Sequence, residues 1–130
     1  MVAPRHLASG HVTPRPVALT ENARAVMERR YLLRDEAGAV TETPEQLFVR
    51  VAEAVASVEP DEQLQREWAQ RFCDEMAALR FLPNSPALMN AGSGQGTLAA
   101  CFVLPVDDSL ESIMSTAQAA AMVQKYGGGT

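Results

Sequence analysis

The sequence has few of the features that would set it apart from ordinary globular proteins. No apolar run approaches the roughly 20 residues that a membrane-spanning helix needs. No apolar stretch follows Arg5 and Arg15, so no secretory signal is predicted. The chain has only 2 cysteines, Cys73 and Cys101, which excludes a disulfide-stapled scaffold and indicates a reducing, cytoplasmic setting.

Signs of metal and nucleic-acid binding are also scarce. The 2 histidines, His6 and His11, have no cysteine or carboxylate at ligand spacing, so no metal site is predicted. A net charge of -5 argues against a protein that coats nucleic acid. With 47% hydrophobic and 21% charged residues, the 130-residue chain is typical of one globular domain with a modest core.

Charge and glycine are distributed unevenly along the chain. Most charged side chains lie in residues 21–80, whereas residues 81–106 have none. Most glycines lie between Gly92 and Gly129. The sequence stops directly after Gly127-Gly128-Gly129-Thr130, and we therefore expect these residues to be a piece of a longer protein.

The N-terminal part predicts a lead-in, a helix and a turn. Residues 1–18 contain three prolines and no hydrophobic period, which is typical of a flexible lead-in. A helix should follow from Leu19, with Thr20 as its N-cap. Residues 35–38 (Asp-Glu-Ala-Gly) then break the pattern, and short flanking segments suggest a small hairpin.

Two longer helices should complete a helical region over residues 19–82. Thr43-Pro44-Glu45-Gln46 combines a capping box with proline in the first turn, which predicts a helix over residues 44–58. Asp61 begins a third helix. The predicted buried faces consist of Leu47, Val51, Ala54, Val55 and Val58 on one helix, and of Leu64, Trp68, Phe72, Met76 and Leu79 on the other.

Residues 83–130 have a different character. The segment Pro83-Asn84-Ser85-Pro86 cannot continue a helix, because proline lacks the amide donor and favours extended geometry in the preceding residue, and residues 90–96 have the composition of a loop. The apolar run 98–106 predicts a buried strand, and a capping pattern at Asp108 starts a fourth helix that ends at Tyr126. The expected fold is therefore mainly α, with four helices, a small hairpin and one or two short strands.

Taken singly, the candidate reactive residues have ordinary explanations. The context of Cys101 is typical of a small buried apolar side chain, or of a redox thiol if a partner lies nearby. The context of Cys73 is typical of core packing. The spacing of the two cysteines does not recommend a disulfide between them. Ser85 suits a turn or cap as well as a polar ligand contact. Of the three terminal glycines, a helix C-cap explains one, and close backbone approach to a group such as a substrate would explain the others.

Four motifs, taken in their order along the chain, favour a functional role for these residues over the ordinary explanations. They are FLPNSPALMNAG (residues 81–92), LAACFVLPV (98–106), DDSLESI (107–113) and KYGGGT (125–130). In this order they resemble the N-terminal region of the large, catalytic subunit of ribonucleotide reductases. Upstream, LTENA (19–23), RYLLRD (30–35) and TPE (43–45) resemble the adenosylcobalamin-dependent class II enzymes in particular. The resemblance covers about residues 19–130.

The resemblance implies a fold and an activity. Residues 83–130 would begin the ten-stranded α/β barrel of these enzymes, which replace the ribose 2′-hydroxyl of a ribonucleoside diphosphate or triphosphate with hydrogen by thiyl-radical chemistry. Adenosylcobalamin would be the cofactor. The partners implied are the ribonucleotide substrate, dNTP and ATP effectors, a thioredoxin-like reductant and a second copy in a homodimer. No nucleic-acid or membrane partner is implied.

The resemblance also assigns roles to four residues. Cys101 matches one member of the reducing cysteine pair, and Ser85 matches a position that contacts substrate. Ala100 would contribute backbone contacts, and Gly129 matches a glycine that lets the backbone approach the substrate, with amide donation to the nucleotide as its rationale. Ala99 departs from the pattern, because many relatives have serine there. The remaining machinery would follow Thr130, so we expect these residues alone neither to reduce ribonucleotides nor to bind cobalamin tightly.

Two other hypotheses remain at this point. One is a class I large subunit, which would share this half of the site and differ in its radical source. The other is a non-catalytic helical interaction module. Such a module would have to bury residues 98–106 without further strands, which leaves an exposed edge that is prone to aggregation.

Overall fold

The computed structural model describes residues 12–130, and in that range it contains five helices and almost no strand. The helices are α1 (Glu21–Arg30), α2 (Pro44–Ala56), α3 (Glu62–Ala77), α4 (Ser85–Asn90) and α5 (Leu110–Lys125). The extended pairing consists of two isolated bridges, an antiparallel one between Arg34 and Val40 and a parallel one between Cys101 and Gly129. The predicted mainly helical fold class is confirmed. No helix within residues 12–130 is long and apolar enough to cross a bilayer.

The helix starts follow from local capping chemistry. Thr20, Thr43 and Asp61 each accept a hydrogen bond from the backbone amide three residues later, as their sequence patterns predict. At Thr43 the capping box is complete, because the side chain of Gln46 bonds back to the cap amide. The cap of α5 is Ser109, one residue later than the sequence pattern indicated.

The core lies between α2 and α3, with α4 packed on α2. Its largest fully buried side chains are Phe48, Leu47, Val51 and Cys73. Small residues line the contact on both helices, namely Ala52 and Ala56 on α2 and Ala69 and Ala77 on α3. These alanines let the two helix backbones approach closely, which places the middle of each helix in the interior.

The predicted buried faces are correct only in part. Leu47, Val51 and Met76 are buried, but Val58 is 82% exposed and Leu79 is 47% exposed. Trp68 lies at the surface, where its ring stacks on Phe72 at 5.5 Å between centroids. The prediction followed the largest apolar side chains, whereas each helix is rotated so that its alanines and Cys73 face the partner helix.

Residues 12–18 differ from the expectation of a flexible lead-in. Val12 and Val17 are buried in the core cluster, and Leu19 packs against it. The Thr13 amide donates to the side-chain oxygen of Gln70 at 2.9 Å, and Arg15 pairs with Asp74. This segment therefore lies along α3. The remainder of the predicted lead-in, including His6 and His11, lies outside the described residues.

Residues 83–86 do not continue α3, as their prolines predict, but a further helix that the sequence pattern does not indicate, α4, begins at Ser85. Asn84 is the N-cap and accepts from the Ala87 amide at 2.9 Å, and Pro86 occupies the first turn. A proline costs nothing in the first turn, since the amide it lacks has no helical partner anyway. The fold consequently has five helices in the described range, and not four.

The predicted buried strand over residues 98–106 does not form. Cys101 bridges to Gly129, but Cys101 is exposed and Val103 is 97% exposed. An apolar run forms a strand only when other strands pair with it. Within residues 12–130, the one residue that pairs with this run is Gly129. The α5 helix, which is entirely described, likewise has no buried residue, although its predicted apolar face contains Leu110, Ile113, Met114, Ala117 and Ala121.

Candidate functional site

The short helix α4 presents Ser85 at its first residue. The hydroxyl oxygen of Ser85 lies 3.0 Å from the hydroxyl oxygen of Tyr31, which is the C-cap residue of α1. Both side chains are half-buried. The part of the chain just after α1 is therefore tied to the start of α4 through two hydroxyl groups.

The other end of α4 is held by an arginine of α2. The guanidinium of Arg50 donates to the carbonyl oxygens of Leu88, at 3.1 Å, and of Ala91. The last carbonyls of a helix lack partners within the helix, and a cation near them is favourable for the helix dipole. Glu42 in turn accepts two hydrogen bonds from Arg50, at 2.7 and 3.0 Å, so this charge is neutralised.

Asn90, the last residue of α4, joins three segments. Its side-chain amide donates to the carbonyl oxygen of Thr97 at 2.8 Å and to that of Tyr126 at 3.5 Å. Gly96 packs directly against this amide, since a Cβ at Gly96 would lie 2.4 Å from Asn90 Cγ. Asn90 thus connects α4 to the loop that follows it and to the C-terminal end of α5.

Three of the four predicted site residues lie together. The Gly129 amide donates to the Ala100 carbonyl at 2.7 Å, and the Phe102 amide donates to the Gly129 carbonyl at 2.9 Å. These two bonds form the parallel bridge at Cys101. Both backbone polar groups of Gly129 are therefore engaged with the cysteine segment, which leaves its amide without a free hydrogen for the ligand contact that the sequence suggested. Ser85 is not part of this bridge; it is the first residue of α4, and its hydroxyl contacts that of Tyr31.

Gly128 is a position where the packing requires glycine. It is buried, and a Cβ there would lie 2.7 Å from Val123 Cγ1 and 2.8 Å from Phe102 Cε2. Gly127, with φ of 87°, ends α5 in the left-handed region where glycine is favoured. Each of the three glycines therefore has its own structural role. Gly127 turns the chain, Gly128 makes room for Phe102, and Gly129 pairs with the segment that contains Cys101.

The two cysteines differ in accessibility. In the part of the chain that the structure describes, both are free thiols: Cys101 is exposed and Cys73 is buried in α3. Burial raises the pKa of the Cys73 thiol above its ordinary value of 9.0, and the neighbouring Asp74 carboxylate acts in the same direction. Cys73 is therefore held as the neutral thiol, which suits core packing, whereas Cys101 is the accessible thiol.

Residues 12–130 form no cluster of metal-ligating side chains. No group of three or more histidine, cysteine, aspartate or glutamate side chains is close enough to hold a metal ion there. The chemistry of the described residues is that of one exposed thiol on a fixed backbone, with a serine hydroxyl on a separately held helix.

Comparisons with known proteins match most of the chain. The family described as ribonucleotide reductase, all-alpha domain, matches residues 17–96, which include α1 to α4. A vitamin B12-dependent ribonucleoside-diphosphate reductase of Mycobacterium tuberculosis is 48% identical over 110 residues, or 83% of this chain. A protein of the same name from Thermoplasma acidophilum is 36% identical over an alignment that covers 86% of this chain.

A relative without the vitamin B12 designation has an identity between those of the two vitamin B12-dependent relatives. The ribonucleoside-diphosphate reductase subunit alpha of Synechocystis is 38% identical over 105 residues, or 80% of this chain. The chain spans only 16% of the Mycobacterium relative, 22% of the Thermoplasma relative and 13% of the Synechocystis relative. The similarity therefore concerns one region of much longer proteins.

Proposed function

Since this chain belongs to the ribonucleotide reductase family, we propose that it forms the N-terminal part of a vitamin B12-dependent ribonucleoside-diphosphate reductase. The complete enzyme would convert ribonucleoside diphosphates to deoxyribonucleotides. The single observation that carries the proposal is the backbone pairing of Ala100 and Phe102 with Gly129, which holds the exposed Cys101 in one place. The Mycobacterium relative, which is named vitamin B12-dependent, is 48% identical, against 38% for the Synechocystis subunit without that designation, and this difference favours class II over a class I subunit.

In this proposal Cys101 is one of two thiols that reduce the substrate. Two thiols give up two electrons and two protons and become a disulfide, while the C2′–OH bond of the ribose breaks, a C2′–H bond forms and water leaves. The partner thiol would come from outside these 130 residues, because Cys73 is buried in α3. Adenosylcobalamin, when bound to the complete enzyme, would supply the radical that initiates the reaction.

The remaining site residues would position the nucleotide. Ser85 would donate its hydroxyl proton to a polar group of the substrate. The Ala100 carbonyl is already paired with Gly129, so Ala100 would act through its amide or by close packing. Gly129 would act by keeping the surface beside Cys101 free of a side chain, since both of its backbone groups are used.

Other properties of the complete enzyme belong to the same proposal. We propose a cytoplasmic enzyme that is re-reduced by a thioredoxin-like protein and regulated by dNTP and ATP effectors, with a homodimer as its assembly. The exposed position of Cys101 supports reaction with a reductant, because thiol–disulfide exchange requires access to the sulfur.

The test is turnover by the full-length protein that contains this chain. With CDP, adenosylcobalamin and reduced thioredoxin, we expect dCDP to form, and we expect Cys101→Ser to abolish thioredoxin-coupled turnover. Cys73→Ala is the matched control, because it removes the other thiol and should leave turnover in place. Turnover that needs no cobalamin would favour class I, and full turnover by the Cys101→Ser enzyme would contradict the role of Cys101.

A non-catalytic interaction module is the competing function. It predicts that the full-length protein forms no deoxyribonucleotide under any of these conditions. It also predicts that the 130-residue chain alone is a soluble monomer with a cooperative unfolding transition. Both results together would replace the enzymatic proposal.

A further inference from the structure

Tyr31 brings a hydroxyl group to Ser85 from a distant part of the sequence. The two residues are 54 positions apart, and their hydroxyl oxygens lie 3.0 Å from each other. The Tyr31 ring packs against the hydrophobic core cluster, and the Arg30 guanidinium lies 5.7 Å from the ring centroid. Because packing holds the ring, the Tyr31 hydroxyl has a defined position beside Ser85.

We propose that Tyr31 is a positioning residue that orients the Ser85 hydroxyl toward the ribonucleoside diphosphate. This inference rests on the proposed function, which makes Ser85 a substrate contact. A serine hydroxyl has one proton to donate and two lone pairs to accept with. When the Tyr31 hydroxyl donates to Ser85, the Ser85 proton is left for an acceptor oxygen of the nucleotide. Each hydrogen bond in such a chain polarises the next, so the contact to the nucleotide becomes stronger.

The surrounding contacts separate this role from a structural one. At the other end of α4, Arg50 donates to the carbonyl oxygens of Leu88 and Ala91. Asn84 caps the start of α4 through its own side chain. The helix therefore keeps its place without the Tyr31 hydroxyl. Tyr31→Phe retains the packed ring and removes only the group that orients Ser85.

The experiment uses the full-length enzyme and CDP as the probe. The dissociation constant for CDP is measured by equilibrium dialysis without cobalamin, and KM and kcat are measured with it. The variants are Tyr31→Phe, Ser85→Ala and the double variant. Ser57→Ala is the matched control, because it also removes one hydroxyl and its hydrogen bond stays within the end of α2.

We expect Tyr31→Phe to raise the dissociation constant and KM for CDP about 3- to 10-fold, the value of one hydrogen bond. The kcat should change by less than about twofold, since the contact is made equally in the ground state. In the Ser85→Ala background, Tyr31→Phe should have no further effect, because there is no hydroxyl left to orient. The Ser57→Ala enzyme should bind CDP as the wild type does.

The outcomes distinguish the inference from the function on which it rests. Independent, multiplicative effects of the two variants would overturn the role of Tyr31 while the reductase activity stands. A Tyr31→Phe enzyme that melts at a lower temperature but binds CDP as the wild type does would also overturn the role of Tyr31. Unchanged CDP binding by the Ser85→Ala enzyme would overturn it as well. A wild-type enzyme that forms no deoxyribonucleotide would contradict the proposed function, and the inference with it.

Discussion

Arg50 and Glu42 form a two-point ion pair at a place where both side chains are almost completely buried. The guanidinium–carboxylate distances are 2.7 and 3.0 Å, and the two side chains are 10% and 7% exposed. Glu42 also accepts from the Leu33 amide at 3.1 Å, and Arg50 also donates to the end of α4. The pair therefore joins the turn after α1 to the helix that presents Ser85.

Removal of Arg50 should be among the most damaging single changes in the chain. Arg50→Met would leave the Glu42 carboxylate buried without its counter-charge and the last carbonyls of α4 without a donor. Breaking one side of a buried pair costs about 3–5 kcal/mol. Urea unfolding followed by circular dichroism measures this cost. Arg66→Met is the control, because Arg66 pairs with Glu62 at the surface and its loss should cost less than about 0.5 kcal/mol. An equal loss of unfolding free energy in the two variants would contradict the burial of the Arg50–Glu42 ion pair.

Gly128 should tolerate a methyl group less well than Gly129. In Gly128→Ala the new Cβ would lie within 2.8 Å of Val123 and Phe102 side-chain atoms, whereas a Cβ at Gly129 would make an ordinary contact of 3.6 Å with the Ala100 carbonyl oxygen. Phe102 must then move, and the bond from its amide to Gly129 should weaken. Hydrogen exchange at the Phe102 amide should become faster in Gly128→Ala than in Gly129→Ala. The reverse order would show that Phe102 does not rest on Gly128.

The two thiols should react at different rates in the native protein. Iodoacetamide should alkylate Cys101 in the folded state and Cys73 only after unfolding, because Cys73 is buried and its pKa is raised by that burial. Mass spectrometry of each cysteine peptide with time measures the two rates. Similar rates for both cysteines in the native state would contradict the burial of Cys73.

The raised pKa of Cys73 has a consequence for stability at high pH. Below the ordinary value of 9.0 both the folded and the unfolded state hold the protonated thiol, so Cys73 adds no pH dependence. As the pH rises above 9.0 the unfolded state ionises first, and the free energy of unfolding should fall. Urea unfolding at a series of alkaline pH values checks this, with Cys73→Ala as the control in which this part of the decrease is absent.

The 130-residue chain alone should form no deoxyribonucleotide. Reduction of one substrate requires two electrons from a pair of thiols, and Cys101 is the exposed thiol of the described residues. An assay with CDP, adenosylcobalamin and reduced thioredoxin, run beside the full-length enzyme, measures the product. Product formation by the short chain at a rate near that of the full-length enzyme would contradict the proposed division of the site.

The features that the sequence predicts correctly are local. Thr20, Thr43 and Asp61 start helices because each cap needs only the amide three residues later. Burial depends on distant partners and was less predictable. The 82% exposed Val58 lies past the end of α2, where no other element covers it, and the α2–α3 contact uses alanines that carry little hydrophobic signal.

In the candidate site, too, the sequence predicts local features better than contacts between distant residues. The sequence brings Cys101 and Gly129 to attention, and the structure pairs them. It gives no sign that Tyr31 and Ser85 meet, because the two residues are 54 positions apart and their contact depends on the tertiary fold. The sequence does not indicate α4, because proline usually ends a helix, whereas Pro86 lies in the first turn of α4, where proline is tolerated.

The packing of residues 12–18 along α3 bears on where this region can be cut for study. Val12 and Val17 are part of the core, and Arg15 pairs with Asp74, the neighbour of Cys73. A protein shortened to begin at Leu19, which is the boundary that composition alone suggests, would lose these contacts and uncover the side of α3 that contains Cys73. Recombinant versions of the helical region should therefore keep Val12 and the residues after it, and a purification tag belongs ahead of that point.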